Sequence, residues 1–213
     1  MKRVVIFVNG QVGNIESVRS LILPGDSLLA ADGGAHHALS LGLMPSKIIG
    51  DLDSLSEQDF KRCQAAGCEF LQHPRDKNET DFELALHLAV ESGFREILVV
   101  GALGGRLDQT LANLSLLTDP SLAGLEIKMD DGIEEAWFIR NSSEIRGAPS
   151  DTISLIPWGG SVTGIQTTGL RWPLDDEILF ADKTRGISNE LTTEKGYVSI
   201  KTGFLLIVHR RNP

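Results

Sequence analysis

The sequence predicts an N-terminal α/β domain built on a parallel sheet, followed by a C-terminal all-β sandwich domain. Two observations predict it. From Arg3 to Lys128, short apolar runs alternate with segments of helical period, the pattern of a parallel sheet covered by helices. After about residue 140 the helical segments stop and glycine rises. Short β-type runs then recur between turn signals such as Gly159-Gly160 and Glu194-Lys195-Gly196. The boundary is therefore drawn at residue 140, giving domains 1–140 and 141–213.

In the first domain, strands are expected at Arg3–Val8, Ser27–Ala31, Lys47–Ile49, Glu69–Gln72, Glu96–Val100 and Glu126–Lys128. Helices are expected at Ile15–Leu23, Ala35–Leu41, Glu57–Ala66, Thr80–Ser92 and Arg106–Leu117. The fourth helix has the clearest stripe, with Phe82, Ala85, Leu86, Ala89 and Val90 on one face. Thr80-Asp81-Phe82-Glu83 matches a capping box, Thr80 as N-cap and Glu83 three residues on. In the second domain, strands are expected at Thr152–Trp158, Ser161–Thr167, Glu177–Phe180, Tyr197–Lys201 and Phe204–His209.

Bulk properties exclude several function classes. The formal net charge of −9 argues against general nucleic-acid binding, which depends on a basic face. It still permits a phosphate ligand if a metal ion supplies positive charge. No apolar run reaches the ~20 residues of a membrane span. The apolar part of Met1–Asn9 is too short for a signal peptide and reads as a first strand. Cys63 and Cys68, without a secretion signal, imply reduced thiols and a cytoplasmic protein. Their spacing, with no second pair or histidine cluster, does not make a zinc site.

The chemistry gathers at one edge. In an open parallel sheet, ligands bind beyond the carboxyl ends of the strands. Asp32-Gly33-Gly34 follows the second expected strand, and Gly50-Asp51-Leu52-Asp53-Ser54 follows the third. His73–Asp81 follows the fourth, and Gly101–Asp108 the fifth. Four successive strands thus deliver acids to the same edge. Asp51 and Asp53, two anions held at i and i+2, repel unless a cation lies between them. Hard divalent ions with oxygen ligands, above all Mg²⁺, suit such a pair. Asp81, in the first turn of its helix, faces the same edge as metal ligand, base or dipole partner. Gly33-Gly34 and Gly104-Gly105 precede helices and either admit phosphate oxygens to backbone N–H groups or make tight turns. Arg75, Lys77 and Arg106 are the basic residues of these loops, candidate phosphate clamps or surface ion-pair partners. His36, His37, His73 and His87 form no ligand constellation and read as structural or surface residues.

With these loops in order, the chain resembles the thiamine pyrophosphokinase (thiamine diphosphokinase) family. The resemblance rests on Ala31–Ala35, Gly50–Ser54, Asp76–Phe82, Gly104–Asp108 and Leu111-Ala112-Asn113. It continues in Thr167–Leu174 and Gly186–Glu190, so it spans nearly the whole chain. It implies transfer of the diphosphoryl group of ATP to the hydroxyl of thiamine, giving AMP and thiamine diphosphate with Mg²⁺. It implies Asp51, Asp53 and Asp81 as metal and catalytic carboxylates. Asp32, Gly33, Gly34, Lys77, Thr80, Arg106 and Asp108 are implied around the nucleotide. It also implies a homodimer with shared active sites, the thiamine pocket completed by Trp172, Ser188 and Asn189 of the partner chain. Read without the resemblance, Trp172 serves equally as a sandwich core residue. Two positions depart from the family pattern: Lys77, neutral in some relatives, and Gln109, histidine in many. The same carboxylates would also serve a pyrophosphokinase for another small alcohol (a hydroxymethylpterin), a metal-dependent phosphohydrolase, or a nucleotide-sensing module.

Overall fold

A computed structural model describes residues 2–212. The chain divides into two compact units between Gly132 and Ile133, earlier than the boundary expected at 140. The glycine-rich texture starts only after the first strand of the second unit, which explains the offset. Among the described residues no helix is long and apolar enough to cross a membrane.

The first unit runs β1 (Arg3–Phe7), α1 (Ile15–Leu21), β2 (Ser27–Ala31), α2 (Ala35–Ser40), β3 (Lys47–Gly50), α3 (Glu57–Ala65), β4 (Glu69–Gln72), α4 (Asp81–Glu91), β5 (Glu96–Val100), α5 (Leu107–Leu116) and β6 (Glu126–Asp130). Its strands lie in the order β6-β5-β1-β2-β3-β4, every pair parallel. Val4, Val5, Ile6 and Phe7 are all fully buried, as a strand covered on both faces requires. Val5, Phe7, Ala30, Ile48, Leu98 and Val100 pack with Val18, Ala38, Leu39 and Cys63 of the helices. α4 lies against β1, β2 and β3, burying Phe82, Ala85, Leu86 and Ala89. This is the i, i+3, i+4, i+7 stripe of an amphipathic helix. The Thr80 side chain caps it, accepting from the Glu83 N–H at 3.2 Å. β1 is flanked by β2 and β5, so the chain reverses its direction across the sheet between β1 and β5. Such a switch point opens a crevice beyond the strand ends.

The second unit is all β: β7 (Glu134–Ile139), β8 (Ser142–Arg146), β9 (Thr152–Pro157), β10 (Val162–Thr168), β11 (Glu177–Leu179), β12 (Asn189–Glu190), β13 (Lys195–Ser199) and β14 (Leu205–Arg210). They form two antiparallel arrays, β12-β9-β14-β7 and β11-β10-β13-β8. Alternate residues point inward, so Ile153, Leu155, Ile165, Val198, Leu205 and Ile207 share one core. The expected sandwich is therefore present, with β7, β8 and β12 in addition to the strands read from sequence.

One charged cluster is buried inside this unit. His209 on β14 is 1% exposed. Its Nδ1 lies 2.9 Å from Glu135 Oε1 and its Nε2 2.8 Å from Asp151 Oδ2. Asp151 also accepts the N–H groups of Ala148 and Asn212. Gly147 leaves room for the pair, since a methyl there would sit 2.6 Å from Asp151 Oδ2.

Candidate active site

The crevice at the switch point is a cleft of about 350 Å³ in the first unit. Asn9 and Gly10 enter it from the end of β1, Gly101 from β5, Asp32 from β2, and Lys77 and Asp81 from the approach to α4. α5 lines it with Gln109, Ala112 and Asn113.

The acidic end is shaped by backbone geometry. β2 pairs with β3 so that Ala31 lies opposite Ile49. The next residues, Asp32 and Gly50, therefore emerge side by side. Gly50 has φ 148°, and a methyl on it would lie 2.9 Å from Asp81 Cγ and 3.0 Å from Asp32 Cβ. Only glycine lets both carboxylates close in over this strand end. Asp32 and Leu52 also have positive φ, 45° and 66°, a conformation sparsely populated outside glycine and stored at functional sites. Asp51 Oδ1 accepts the Asp53 N–H at 3.2 Å, closing a tight turn that keeps the i, i+2 pair together.

One carboxylate oxygen each from Asp32, Asp51 and Asp53 lies within 4.8 Å of the others. Asp32 is 5% exposed, and its Oδ2 accepts the Ser54 N–H at 3.2 Å. Its Oδ1 is enclosed without a hydrogen-bond partner. Burial pushes the Asp32 carboxyl above its ordinary range; Ser54 and the Gly33 N–H oppose this, and the charge of Asp81 adds to it. A buried carboxylate oxygen with no donor, beside two further carboxylates, fits a hard divalent cation.

Asp81 adjoins Asp32 across Gly50 but is not one of that group of three. Lys77 Nζ lies 3.0 Å from Asp81 Oδ1, in ion-pair range but off the hydrogen-bond direction, so that oxygen too is enclosed without a hydrogen-bond donor. The Lys77 side chain is 13% exposed and is the cation that the cleft wall contains. The other two basic loop residues do not line the cleft and pair with nearby carboxylates. Arg75 is exposed and 3.6 Å from Asp53 Oδ2. Arg106 grips Asp108 with two hydrogen bonds at the start of α5, and holds its carboxyl below the usual range. Gly33 and Gly34 are buried, and a methyl on Gly34 would lie 2.2 Å from the Phe7 carbonyl oxygen. Close packing on β1 thus accounts for Gly34, whereas a methyl on Gly33 would meet the Asn9 side-chain amide at 2.6 Å. Gly104 and Gly105 have positive φ, which their turn requires.

In the second unit Trp172 is 52% exposed, which removes it from the sandwich core. Asn189 braces its backbone twice, accepting the Trp172 N–H at 3.1 Å and donating to the Trp172 carbonyl at 2.7 Å. Ser188 adopts φ 57° beside it. The Arg171 guanidinium lies 4.9 Å from the centre of the Trp172 ring.

Comparison with known proteins decides what this arrangement belongs to. Residues 18–129 match the family described as thiamin pyrophosphokinase, catalytic domain. Residues 142–205 match thiamin pyrophosphokinase, vitamin B1 binding domain. The chain belongs to the thiamin pyrophosphokinase family. It is therefore an enzyme. It is similar to thiamine pyrophosphokinase of Bacillus subtilis, 29% identical over 182 residues covering 84% of this chain and 85% of that one. It is similar to thiamine pyrophosphokinase 1 of Oryza sativa at 28% over 177 residues, 79% of this chain and 67% of that one. Among solved structures, the Bacillus subtilis thiamine pyrophosphokinase superposes with TM-score 0.89 at 26% identity, covering both chains fully. That of Geobacillus thermodenitrificans superposes with TM-score 0.86 at 27% identity, over 99% of this chain and 98% of that one. The two family matches fall one in each compact unit. Asn9 and Gly10, which line the cleft, precede the matched residues. They also escaped the reading of the sequence, because the loop after β1 becomes a site only when β1 and β5 are known to be neighbours.

Proposed function

We propose that this enzyme makes thiamine diphosphate and AMP from thiamine and ATP, with Mg²⁺. The observation that carries the reading is the three-carboxylate group with its enclosed, partnerless Asp32 oxygen at the edge of a cleft in a thiamin pyrophosphokinase fold. Asp32, Asp51 and Asp53 would hold the cation. Bound there, it supplies charge neutralisation and alignment for the phosphates, the main requirement of phosphoryl-type transfer. Lys77 supplies a further positive charge to the polyphosphate once released from Asp81. Asp81 takes the proton of the thiamine hydroxyl. The freed oxygen attacks the β-phosphorus, the bond to the α,β-bridging oxygen breaks, and AMP leaves with that electron pair.

The thiamine side of the reading rests on Trp172, whose exposed indole offers a face to the cationic thiazolium. Arg171 competes for the ring, so thiamine takes the opposite face or displaces the guanidinium. We propose a homodimer in which Trp172, Ser188 and Asn189 of one chain complete the carboxylate site of the other, making two equivalent composite sites. Cys63 and Cys68 are both free thiols, in keeping with a cytoplasmic enzyme.

Purified protein with ATP and Mg²⁺, with and without thiamine, tests the reaction. Phosphorus NMR should show AMP and thiamine diphosphate only when thiamine is present. ADP with thiamine monophosphate would indicate an ordinary kinase, and phosphate released without thiamine a hydrolase. Mixing Asp81→Asn chains with Trp172→Ala chains under subunit exchange tests the shared site. About a quarter of the normal sites should reappear. A mixture as inactive as its parents, despite proven exchange, would return the site to a single chain.

A further inference from the structure

The loop after β1 is held against β5 by backbone alone. Val8 N–H donates to the Val100 carbonyl at 2.7 Å, and Gly10 N–H to the Gly101 carbonyl at 2.9 Å. The fit leaves no space, since a methyl on Gly10 would lie 2.3 Å from the Gly101 oxygen and one on Gly101 2.3 Å from the Val8 oxygen. One side chain also holds this loop. His37 of α2 is 8% exposed, and its Nε2 lies 2.8 Å from the Gly10 carbonyl oxygen. A carbonyl only accepts, so Nε2 carries the proton. Asn9, next to this anchored glycine, is exposed and lines the cleft, and its amide lies directly over the methyl-less face of Gly33.

We propose that Asn9 contacts the nucleotide through its side-chain amide, and that His37 is the positioning residue that fixes the Asn9–Gly10 segment for that contact. The inference rests on the reading of the cleft as the nucleotide site. The geometry is that of a support placed behind a binding loop. β1 and β5 fix the loop along the strand direction, His37 ties its carbonyl to α2, and Gly33 gives the amide a flat floor. The amide can donate to a phosphate oxygen, or donate and accept at a base edge. The function of His37 is then felt through ATP and not through thiamine.

The test compares Asn9→Ala, His37→Leu and His37→Gln with the wild type. It uses calorimetric binding of ATP to the protein alone, KM for each substrate, and melting temperature. Asn9→Ala should weaken ATP binding about tenfold, the scale of a lost hydrogen bond, with the melting temperature unchanged because the side chain is exposed. His37→Leu should weaken ATP binding similarly and leave the thiamine KM within about twofold. His37→Gln, whose amide can still donate to the Gly10 carbonyl, should restore ATP binding to within about threefold of wild type. A His37→Leu protein that melts lower yet binds ATP normally would make His37 structural only. Unchanged ATP binding in Asn9→Ala would overturn the contact itself, and because Asn9 is exposed that outcome is readable even if His37→Leu fails to fold. A wild-type protein that binds ATP but forms no thiamine diphosphate would overturn the reaction assignment while these binding comparisons still decide the roles of Asn9 and His37.

Discussion

Asp51→Asn is expected to lose both turnover and divalent-cation affinity, whereas Asp81→Asn loses turnover alone. The difference comes from geometry. Asp51 contributes an oxygen to the group of three, while Asp81 lies outside it beside Lys77. Removing a ligand charge weakens cation retention, by more than about tenfold if a direct ligand matters at least as much as an outer-sphere partner. Turnover should fall by about 10²–10³-fold in both variants, the usual cost of one electrostatic or proton-transfer group in such a site. Mn²⁺ titration followed by electron paramagnetic resonance separates the two without reference to activity. Asp53→Asn should follow Asp51→Asn. Asp32→Asn adds a second signature: it removes a buried carboxylate with an unpartnered oxygen, so the metal-free protein should melt higher while Mn²⁺ affinity drops. Undiminished Mn²⁺ binding in Asp32→Asn would remove it from the cation site. Weakened Mn²⁺ binding in Asp81→Asn would make Asp81 a ligand, as the family resemblance implies.

The sequence made β1, β2, β3 and β5 legible because their mostly buried residues read as apolar runs, whereas β4 and β6, with Glu and Gln or Lys and Asp among few apolar residues, are placed by the alternation of strands and helices. β8 was not legible because Ser142-Ser143-Glu144 place polar residues where an apolar run would announce a strand, and in β7 the run Ala136–Ile139 is only four residues long behind Glu134-Glu135. The pair Asp51 and Asp53 could be recognised from spacing alone, since the turn that joins them is local. The place of Asp32 beside them depends on β2 lying next to β3 in a particular register, which chain order does not state. The same holds for Asn9, brought into the cleft by the β1–β5 neighbourhood. Gly33-Gly34 shows the converse. A glycine pair before a helix reads as a phosphate cradle or a tight turn, but the carbonyl of Phe7 occupies the space left at Gly34 and the amide of Asn9 that left at Gly33. His37 reads as structural in the sequence, and its bond to a cleft-lining carbonyl emerges only from the packing of α2 under β1.

His209→Leu is expected to destabilise the protein by about 3–5 kcal/mol at neutral pH, the cost of breaking a buried charge pair by removing one partner. His209 joins Glu135 of β7 to Asp151 ahead of β9, with Arg211 4.0 Å from the second oxygen of Glu135 and the pair Arg210–Glu134 on the outer side of the strand. Burial alone would push the imidazole below its ordinary value of 6.5, but hydrogen bonds and charges from Glu135 and Asp151 outweigh it and raise the ring above that value. For Asp151, burial acts upward, and the N–H groups of Asn212 and Ala148 together with His209 outweigh it, so its carboxyl lies below 3.8. The linkage follows from these two directions. A raised histidine contributes stability that is complete below its unfolded value of 6.5 and is lost as pH rises through the higher folded value. A lowered carboxyl contributes stability that is complete above its unfolded value of 3.8 and is lost as pH falls through the lower folded value. The cluster therefore holds the second unit most strongly between these two unfolded values, and the wild type should weaken on the alkaline side. In His209→Leu two buried carboxylates are left without their shared cation. They repel and favour protonation, so the defect should be large at neutral pH and shrink on acidification. Urea unfolding at a series of pH values from acid to alkaline reads both effects. A His209→Leu protein that loses less than about 1 kcal/mol, or that keeps the wild-type alkaline slope, would show that His209 is neutral in the folded chain and bridges only one of the two acids.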